Sequence, residues 1–461
     1  MKRNFIFSII ITGFSLCNVF AQSAAECPAN LSIFAEYVKV KNYDAAYTPW
    51  MEVRTLCPEL NSATFVYGER ILAHKIKNSE DKSSYSNDLI KLYDEWLTYF
   101  PNDRRGKSQQ GKILASKAQA MLDYNLAPKT EIYKVFDAAF TNDAESFTNP
   151  KALYSYFKTL YENYKAGDPS VTMAVLFSKY EDVSEKFAYE NTKLSKTLDV
   201  IIKKEDAGQP LTSRDTKSKR MCEINSRANT TFANNLDAII AKESSCENLI
   251  PLYRSNLDAN RGDEKWLKRA AGRMDAKECS DDPLFVELVE ALHSLKPSAD
   301  SAYYLGILKD KAGDNQSALE FYEESLSLEN DPYRKATIYY KIAVKFKKRG
   351  QKSQSRTYAK RALSNQPSMG KAHLLIASLY ADSANECGNT QFEKRAVYWL
   401  AAQTVRRAAT VDPALKSTAK KLEASYNGRA PSKTDIFTEG KAGEEVVFNC
   451  WIRSKIKVPN L

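Results

Sequence analysis

The sequence predicts an all-α fold: a solenoid of helix–turn–helix units, with a central hairpin of long helices and a short β-leaning C-terminal tail. Three observations predict it. Small and aromatic residues recur in step between 299 and 413. Elsewhere, apolar residues line single helical faces. Valine, isoleucine and aromatic residues crowd into the segment after Gly440 and Gly443.

The chain opens with Lys2 and Arg3, then an apolar run from Phe5 to Leu16 broken only by Ser8, Thr12, Gly13 and Ser15. Val19-Phe20-Ala21 follows, with small or β-branched residues at the two positions a signal peptidase reads. This pattern predicts a cleavable signal peptide over 1–21, too short to span a bilayer, with Gln22 first in the mature chain. Cys17 raises lipoprotein processing as an alternative, although Leu16 stands where that processing needs a small residue. The expected location is exported, periplasmic or outer-membrane-associated. Without Lys2 and Arg3 the chain holds 65 basic and 57 acidic residues, a net charge of +8. That balance suits at most an anionic protein or envelope surface and argues against nucleic acid. No later segment reaches the ~18 apolar residues of a transmembrane helix.

Residues 22–105 read as two helical hairpins. Tyr37, Ala46, Trp50 and Pro58 keep a spacing that Phe65, Tyr67-Gly68, Leu89, Tyr93 and Pro101 repeat, with an insertion at about 78–86. Ordinary amphipathic helices are the alternative. Residues 106–245 lose the spacing but stay helical. Leu153, Phe157, Leu160, Tyr161 and Tyr164 share one face. Asp168-Pro169 starts a long helix to about Lys204, Ala207-Gly208-Gln209-Pro210 breaks it, and a second runs from about Ser213 to Lys242. Residues 246–298 form a further hairpin over Cys246 to Glu278, and Pro283 to Leu295 begins the register of the next region.

The region 299–427 carries the clearest period. Leu305-Gly306, Gly313, Ala318, Tyr322 and the turn at Asn330 form one unit. Tyr339, Ile342, Ala343, Phe346, Gly350, Ala359, Ala362 and Pro367 form a second. Ile376, Ala377, Tyr380, then Ala401, Val405, Ala408 and Pro413 form a third, split by about twelve residues near 382–394. Small residues sit where two helices cross closely, large ones fill the gaps, and proline stops the second helix. A unit of about 34 residues with these positions resembles the tetratricopeptide repeat. Residues 428–461 differ: Val446, Val447, Phe448, Trp451, Ile452, Ile456 and Val458 suggest a short hairpin or extended tail capping the array.

The mature chain also resembles a broad group of exported tetratricopeptide proteins of Bacteroidota. The resemblance rests on Cys246-Glu-Asn-Leu-Ile-Pro-Leu-Tyr, Ala396-Val-Tyr-Trp-Leu-Ala and Asn449-Cys450-Trp451-Ile452, with Tyr99-Phe100-Pro101 and Phe147-Thr148-Asn149-Pro150. It implies fold and compartment and assigns no reaction. The ending after Trp451-Ile452 departs from the group's polar one with Arg453-Ser-Lys-Ile-Lys.

Seven cysteines follow the leader. In an antiparallel hairpin the start of the first helix lies beside the end of the second. Cys27 with Cys57, and Cys246 with Cys279, hold that relation and can approach the ~5.5 Å between Cα atoms that a disulfide needs. Closing loops of about 30 residues stabilises by roughly 3–4 kcal/mol in the chain-entropy model. Cys387 with Cys450 would pin the tail to the array. Cys222 is left over as a buried free thiol, with Cys222–Cys246 as the rival pairing.

Enzyme signals are weak. Gly106-Lys107-Ser108 looks like the end of a phosphate loop, but Pro101 occupies the position of its first glycine and no strand precedes it. His74, His293 and His373 are the only histidines, and each sits in a helical pattern. Glu323-Glu324 and Glu444-Glu445 are adjacent and diverge on a helix, unlike an acid/base pair. Arg261-Gly262-Asp263 reads as a turn. The expectation is a non-enzyme without cofactor or metal.

The concave face offers more. Its inward positions would be Tyr303, Ile307, Asp310 and Lys311 in one unit and Tyr340, Val344, Lys347 and Lys348 in the next. Aromatics flanked by lysines suit an extended peptide or an acidic segment; alternatively, the tyrosines only fill inter-repeat space. Lys341 to Arg361 holds nine basic residues and no acidic one. Those cations are expected either to pair with Glu320, Glu323, Glu324, Glu329 and Asp331 of the preceding helix or to meet an anionic partner. The expected function is a protein-interaction scaffold of the cell envelope whose concave face binds other envelope proteins or extended peptides. The alternatives are a glycan- or nutrient-binding helical surface protein and, third, an undetected hydrolase.

Overall fold

The computed structural model describes the backbone of residues 14–461 and side chains from residue 26 onward, so the expected signal peptide at 1–21 and Cys17 fall outside the described side chains. Among the described residues there are twenty α-helices, a 3₁₀ turn and one two-stranded sheet. None of these helices is long and apolar enough to cross a membrane. The chain divides into two compact units at Leu176/Phe177.

The first unit contains α1 (Phe14–Lys39), α2 (Tyr43–Leu56), α3 (Ala63–Asn78), α4 (Lys82–Tyr99), α5 (Gln110–Asp123), α6 (Lys129–Asp143) and α7 (Pro150–Lys165). The first six pair as three antiparallel hairpins, α1–α2, α3–α4 and α5–α6. Their starts are set by side-chain caps, Asn42 for α2, Asp81 for α4 and Asn149 followed by Pro150 for α7. Trp50 is fully buried and its indole N–H donates to the Thr64 carbonyl at 2.8 Å. Gly68 packs against that ring so closely that a Cβ would lie 2.7 Å from it. Arg54, also buried, ties α2 to α4 through Asp88 at 3.0 Å and Glu95 at 2.7 Å. Removing either carboxylate would leave a buried cation short of partners.

The second unit holds α8 (Met173–Asp206), which begins at the boundary, and α9 (Ser213–Ile240), the long pair. Gly208, with φ of 68°, ends the first of them, and a reciprocal Thr212–Asp215 capping box starts the second. Then come α10 (Cys246–Asn260), α11 (Glu264–Ala276), α12 (Pro283–Leu295), α13 (Ala299–Lys311), α14 (Asn315–Leu328), α15 (Pro332–Lys348), α16 (Lys352–Asn365), α17 (Gly370–Ala381) and α18 (Gln391–Val411). The chain closes with α19 (Lys416–Arg429), α20 (Lys433–Thr438) and strands β1 (Glu445–Phe448) and β2 (Ser454–Lys457).

The tight hairpins are α13–α14, α15–α16 and α17–α18. Gly306 lies beneath Tyr322, where a Cβ would sit 2.5 Å from the ring. Gly313 and Gly350 take left-handed φ of 77° and 75° at equivalent turns. The array also starts one hairpin earlier than the period suggests. α11 packs more extensively on α12 than on α10, so the expected hairpin over Cys246 to Glu278 is not the main packing unit. The first helices of the array are thus α11, α13, α15 and α17.

α8 runs lengthwise beside this array. Its Glu185 pairs with Arg269 of α11 at 2.7 Å, and its Asp206 with Arg407 of α18 at 2.7 Å. Between them, buried Asp199 accepts from the Tyr333 hydroxyl and the Ser368 backbone N–H, both at 2.7 Å. Leu198 and Ile202 bury against Val411 beside these polar contacts. At the other end β1 and β2 pair antiparallel, Val446 opposite Ile456. Trp451, in their turn, lies 6.0 Å from the Tyr380 ring and donates to the Ser383 hydroxyl at 3.1 Å.

Candidate functional site

Helical phase builds a cleft on the face of the first helices. Asp331 caps α15 and Pro332 takes its first position, which fixes the rotation of everything after. Tyr340, Lys341, Val344, Lys345 and Lys348 then fall on one side, at the three- and four-residue spacing of a helical face. Opposite them stand Tyr303 and Lys311 of α13, the end of α11 at Asp275 and Ala276, and Glu278, Ser280 and Asp281 of the following loop. Together they enclose about 390 Å³.

Five of the eight inward positions expected at a partner groove line this cleft: Tyr303, Lys311, Tyr340, Val344 and Lys348. The other three lie elsewhere. Ile307 is buried in the core; its short aliphatic chain stays where α13 meets its neighbours. Lys347 turns toward the next hairpin, reaching the Ser378 hydroxyl at 2.7 Å and Asp382 at 3.3 Å. Asp310 likewise leaves the groove to pair with Arg349. Tyr303 is itself deeply buried, and desolvation holds its phenol well above the usual range. Tyr340 is half-buried, and burial raises its phenol too.

Three lysines of the cleft have carboxylates. Lys311 reaches Asp281 at 2.5 Å, Lys345 reaches Asp275 at 3.3 Å and Lys348 reaches Glu278 at 2.6 Å. The hydrogen bond from Lys348 lowers the Glu278 carboxyl below its ordinary value. These acids come from α11 and its loop, and sequence spacing within the array gave no sign of them. Lys341 instead lies over the Tyr303 ring, with its ammonium 4.9 Å from the ring centre.

The basic segment 341–361 mostly pairs within the fold, largely with partners other than the expected ones. Lys352 meets Glu386 at 2.6 Å, and Arg356 donates to the Trp451 and Ile452 carbonyls of the tail. Of the acids on the preceding helix, Glu323 takes part, 3.6 Å from Arg361 and bonded to the Tyr358 hydroxyl. The other partners flank the segment from α11, α13 and the α17–α18 loop, because neighbouring first helices face each other across the array.

Three disulfides are present. Cα atoms lie 6.4 Å apart in Cys27–Cys57, 5.5 Å in Cys246–Cys279 and 5.5 Å in Cys387–Cys450. Cys222 is a buried free thiol, and burial pushes its pKa up, away from the reactive thiolate. It borders a second cavity of about 240 Å³, which Ser368, Lys371 and Asp412 also line. Burial raises the Asp412 carboxyl to about 6, although the Ala414 backbone N–H donates to it at 3.1 Å. The histidines have local roles. His74 meets Asp44 at 3.1 Å and His293 meets the Ser301 hydroxyl at 3.0 Å. His373 is held down to about 4 by burial and then by the Arg407 charge.

No family model matches the chain. Among curated proteins it is similar to Photosystem I assembly protein Ycf3 of Cyanophora paradoxa, 33% identical over 115 residues, covering 23% of this chain and 66% of that one. Ycf3 of Prochlorococcus marinus (strain MIT 9303) is 31% identical over 132 residues, covering 26% of this chain and 76% of that one. Yeast Tom70 aligns with 90% of this chain and 82% of its own at 13% identity, with a TM-score of 0.27. Cut9 in the APC/C hetero-tetramer Cut9–Hcn1 aligns over 89% and 99% at 10% identity, with a TM-score of 0.30. Superpositions this loose carry no information on function.

Proposed function

We propose that this chain, which belongs to the tetratricopeptide-like helical repeat proteins, is a non-enzymatic scaffold of the cell envelope that holds an extended segment of another envelope protein against α13 and α15. One observation carries the reading: the cleft gathers the partly exposed Tyr340 and Val344 with a set of lysines on one face of α15. An aromatic and an aliphatic side chain amid charged groups make a recognition surface of apolar anchor and polar rim. The assembly role that the Ycf3 relatives are named for supports the holding of partner proteins. The basic–apolar–small leader and three disulfide pairs support an oxidising, exported setting.

Site-specific photocrosslinking tests it. A photoreactive side chain at Val344 should capture a defined envelope protein in intact cells, whereas one at exposed Lys421 should not. Tyr340→Ala should weaken that capture at least about tenfold, as loss of an interface anchor does. Equal capture from both positions would reject the cleft.

A further inference from the structure

Two lysines on consecutive first helices lack the counter-charge that their neighbours have. Lys341 of α15 sits 4.9 Å over the Tyr303 ring, and Lys371 of α17 sits 4.5 Å over the Tyr340 ring. The result is a ladder of ring and ammonium, Tyr303–Lys341 then Tyr340–Lys371, running from one first helix to the next. The nearby acids are already engaged. Asp275 takes Lys345 at 3.3 Å. Asp300 takes Lys268 at 2.5 Å and Arg334 at 3.0 Å. Asp412 accepts from the backbone that follows it. Among the described residues neither ammonium forms an ion pair with a carboxylate.

The fold therefore holds two like charges near each other without a direct carboxylate contact, under only the longer-range attraction of Asp275 and Asp300 on Lys341 and of Asp412 on Lys371. Burial lowers the Lys341 pKa; Lys371 keeps surface exposure, and desolvation of its ammonium over the Tyr340 ring, then the Lys341 charge, lower its pKa as well. Packing does not require this arrangement, since a methionine would fill the same space without the repulsion. A bound anion removes the cost and gains a charge-assisted contact in a partly dried cleft.

We propose that Lys341 and Lys371 form an anion-receiving step that accepts side-chain carboxylates of an acidic peptide segment laid across Tyr303 and Tyr340. This rests on the reading that the cleft holds a partner protein, and it adds the partner's chemistry. An extended acidic segment matches the ladder because its carboxylates recur along a line, as the two lysines do.

The probe is a fluorescein-labelled hexaglutamate peptide, titrated by anisotropy into the full chain at 100 mM salt, with hexaglutamine as its neutral twin. Hexaglutamate should bind and hexaglutamine should not. Lys341→Met with Lys371→Met should weaken binding at least about thirtyfold and make it less salt-dependent. Lys420→Met with Lys421→Met removes the same charge from α19 and should change binding less than twofold. Equal loss in both double variants, or equal binding of the two peptides, overturns the proposal. So does tighter, lysine-dependent binding of phosphatidylglycerol vesicles than of the peptide. The methionine variants should melt at the same temperature or higher; a lower value would make the lysines structural and overturn it too. A partner that still crosslinks at Val344 in the methionine variant sinks this inference alone. No crosslink at Val344 in the unaltered protein sinks the reading beneath it.

Discussion

The guanidinium of Arg356 stacks 5.0 Å from the centre of the Trp451 ring and donates to the backbone carbonyls of Trp451 and Ile452. One cation of the second repeat thereby holds the tail from both its ring and its backbone. Arg356→Ala should loosen β1 and β2 against the array, to which Cys387–Cys450 still tethers them, with local opening favoured by about 2–4 kcal/mol for two charge-assisted hydrogen bonds and the ring contact. Arg356→Lys should rescue little, because an ammonium cannot fork to two carbonyls while lying flat on a ring. Hydrogen exchange over 445–457 reads the effect; unchanged protection in the alanine variant would refute it.

Gly306 and Gly428 make a matched pair. A Cβ at Gly306 would meet the Tyr322 ring at 2.5 Å, whereas one at Gly428 meets nothing within 4 Å. Gly306→Ala should cost about 1–3 kcal/mol through overpacking. Gly428→Ala should be neutral or stabilise by up to about 1 kcal/mol through helix propensity. Denaturant midpoints of the two variants decide it, and equal losses would contradict the close crossing.

His373 and Asp412 should pull stability in opposite directions across the same acid range. The Asp412 carboxyl is raised from 3.8 to about 6, so its stabilisation is full below 3.8 and is lost as pH rises to 6. The His373 imidazole is lowered from 6.5 to about 4, so its stabilisation is full above 6.5 and is lost as pH falls to 4. Each contributes on the order of 2–3 kcal/mol, and the two nearly cancel. His373→Gln should therefore gain stability on going from pH 7 to pH about 4.5, relative to the unaltered chain. Asp412→Asn, which keeps an oxygen for the Ala414 N–H, should lose it. Urea midpoints at the two pH values test this; shifts of the same sign would disprove the opposition.

The disulfides separate by unit. Cys27–Cys57 lies in the first, while Cys246–Cys279 and Cys387–Cys450 lie in the second. Replacing Cys27 and Cys57 with serine should lower the first unit's stability by about 3–4 kcal/mol and leave the second's calorimetric transition in place. Replacing Cys246 and Cys279 should do the reverse. A common shift of both transitions in either variant would go against this assignment.

The helical repeat was legible because close helix crossings demand small residues at fixed positions, and Gly306 and Ala318 announce one such crossing. Tyr340, Val344 and Lys348 were legible as one face because helical phase is local. The acids of the cleft were not, since Asp275 and Glu278 belong to α11 and the loop after it, whose place in the array depends on tertiary packing. The depth of Ile307 was hidden for a related reason: spacing gives a direction, and only the neighbouring helix decides whether that direction ends in solvent. Nor did the long helix α8 announce its partners. An apolar face says that something covers it, while Asp199 meets Tyr333 and Ser368 more than a hundred residues away.

The Cys387–Cys450 bond also sets how the second unit would respond to force. Tension applied at β2 enters at Cys450, crosses the sulfur bridge to Cys387 and passes into α17. The intervening helices α18, α19 and α20 are shunted and carry no load while the bond stands. Reduction would place that stretch, a separation of 63 residues, in series with the pull. A thiol-dependent step in single-molecule extension would then record the release of stored chain length.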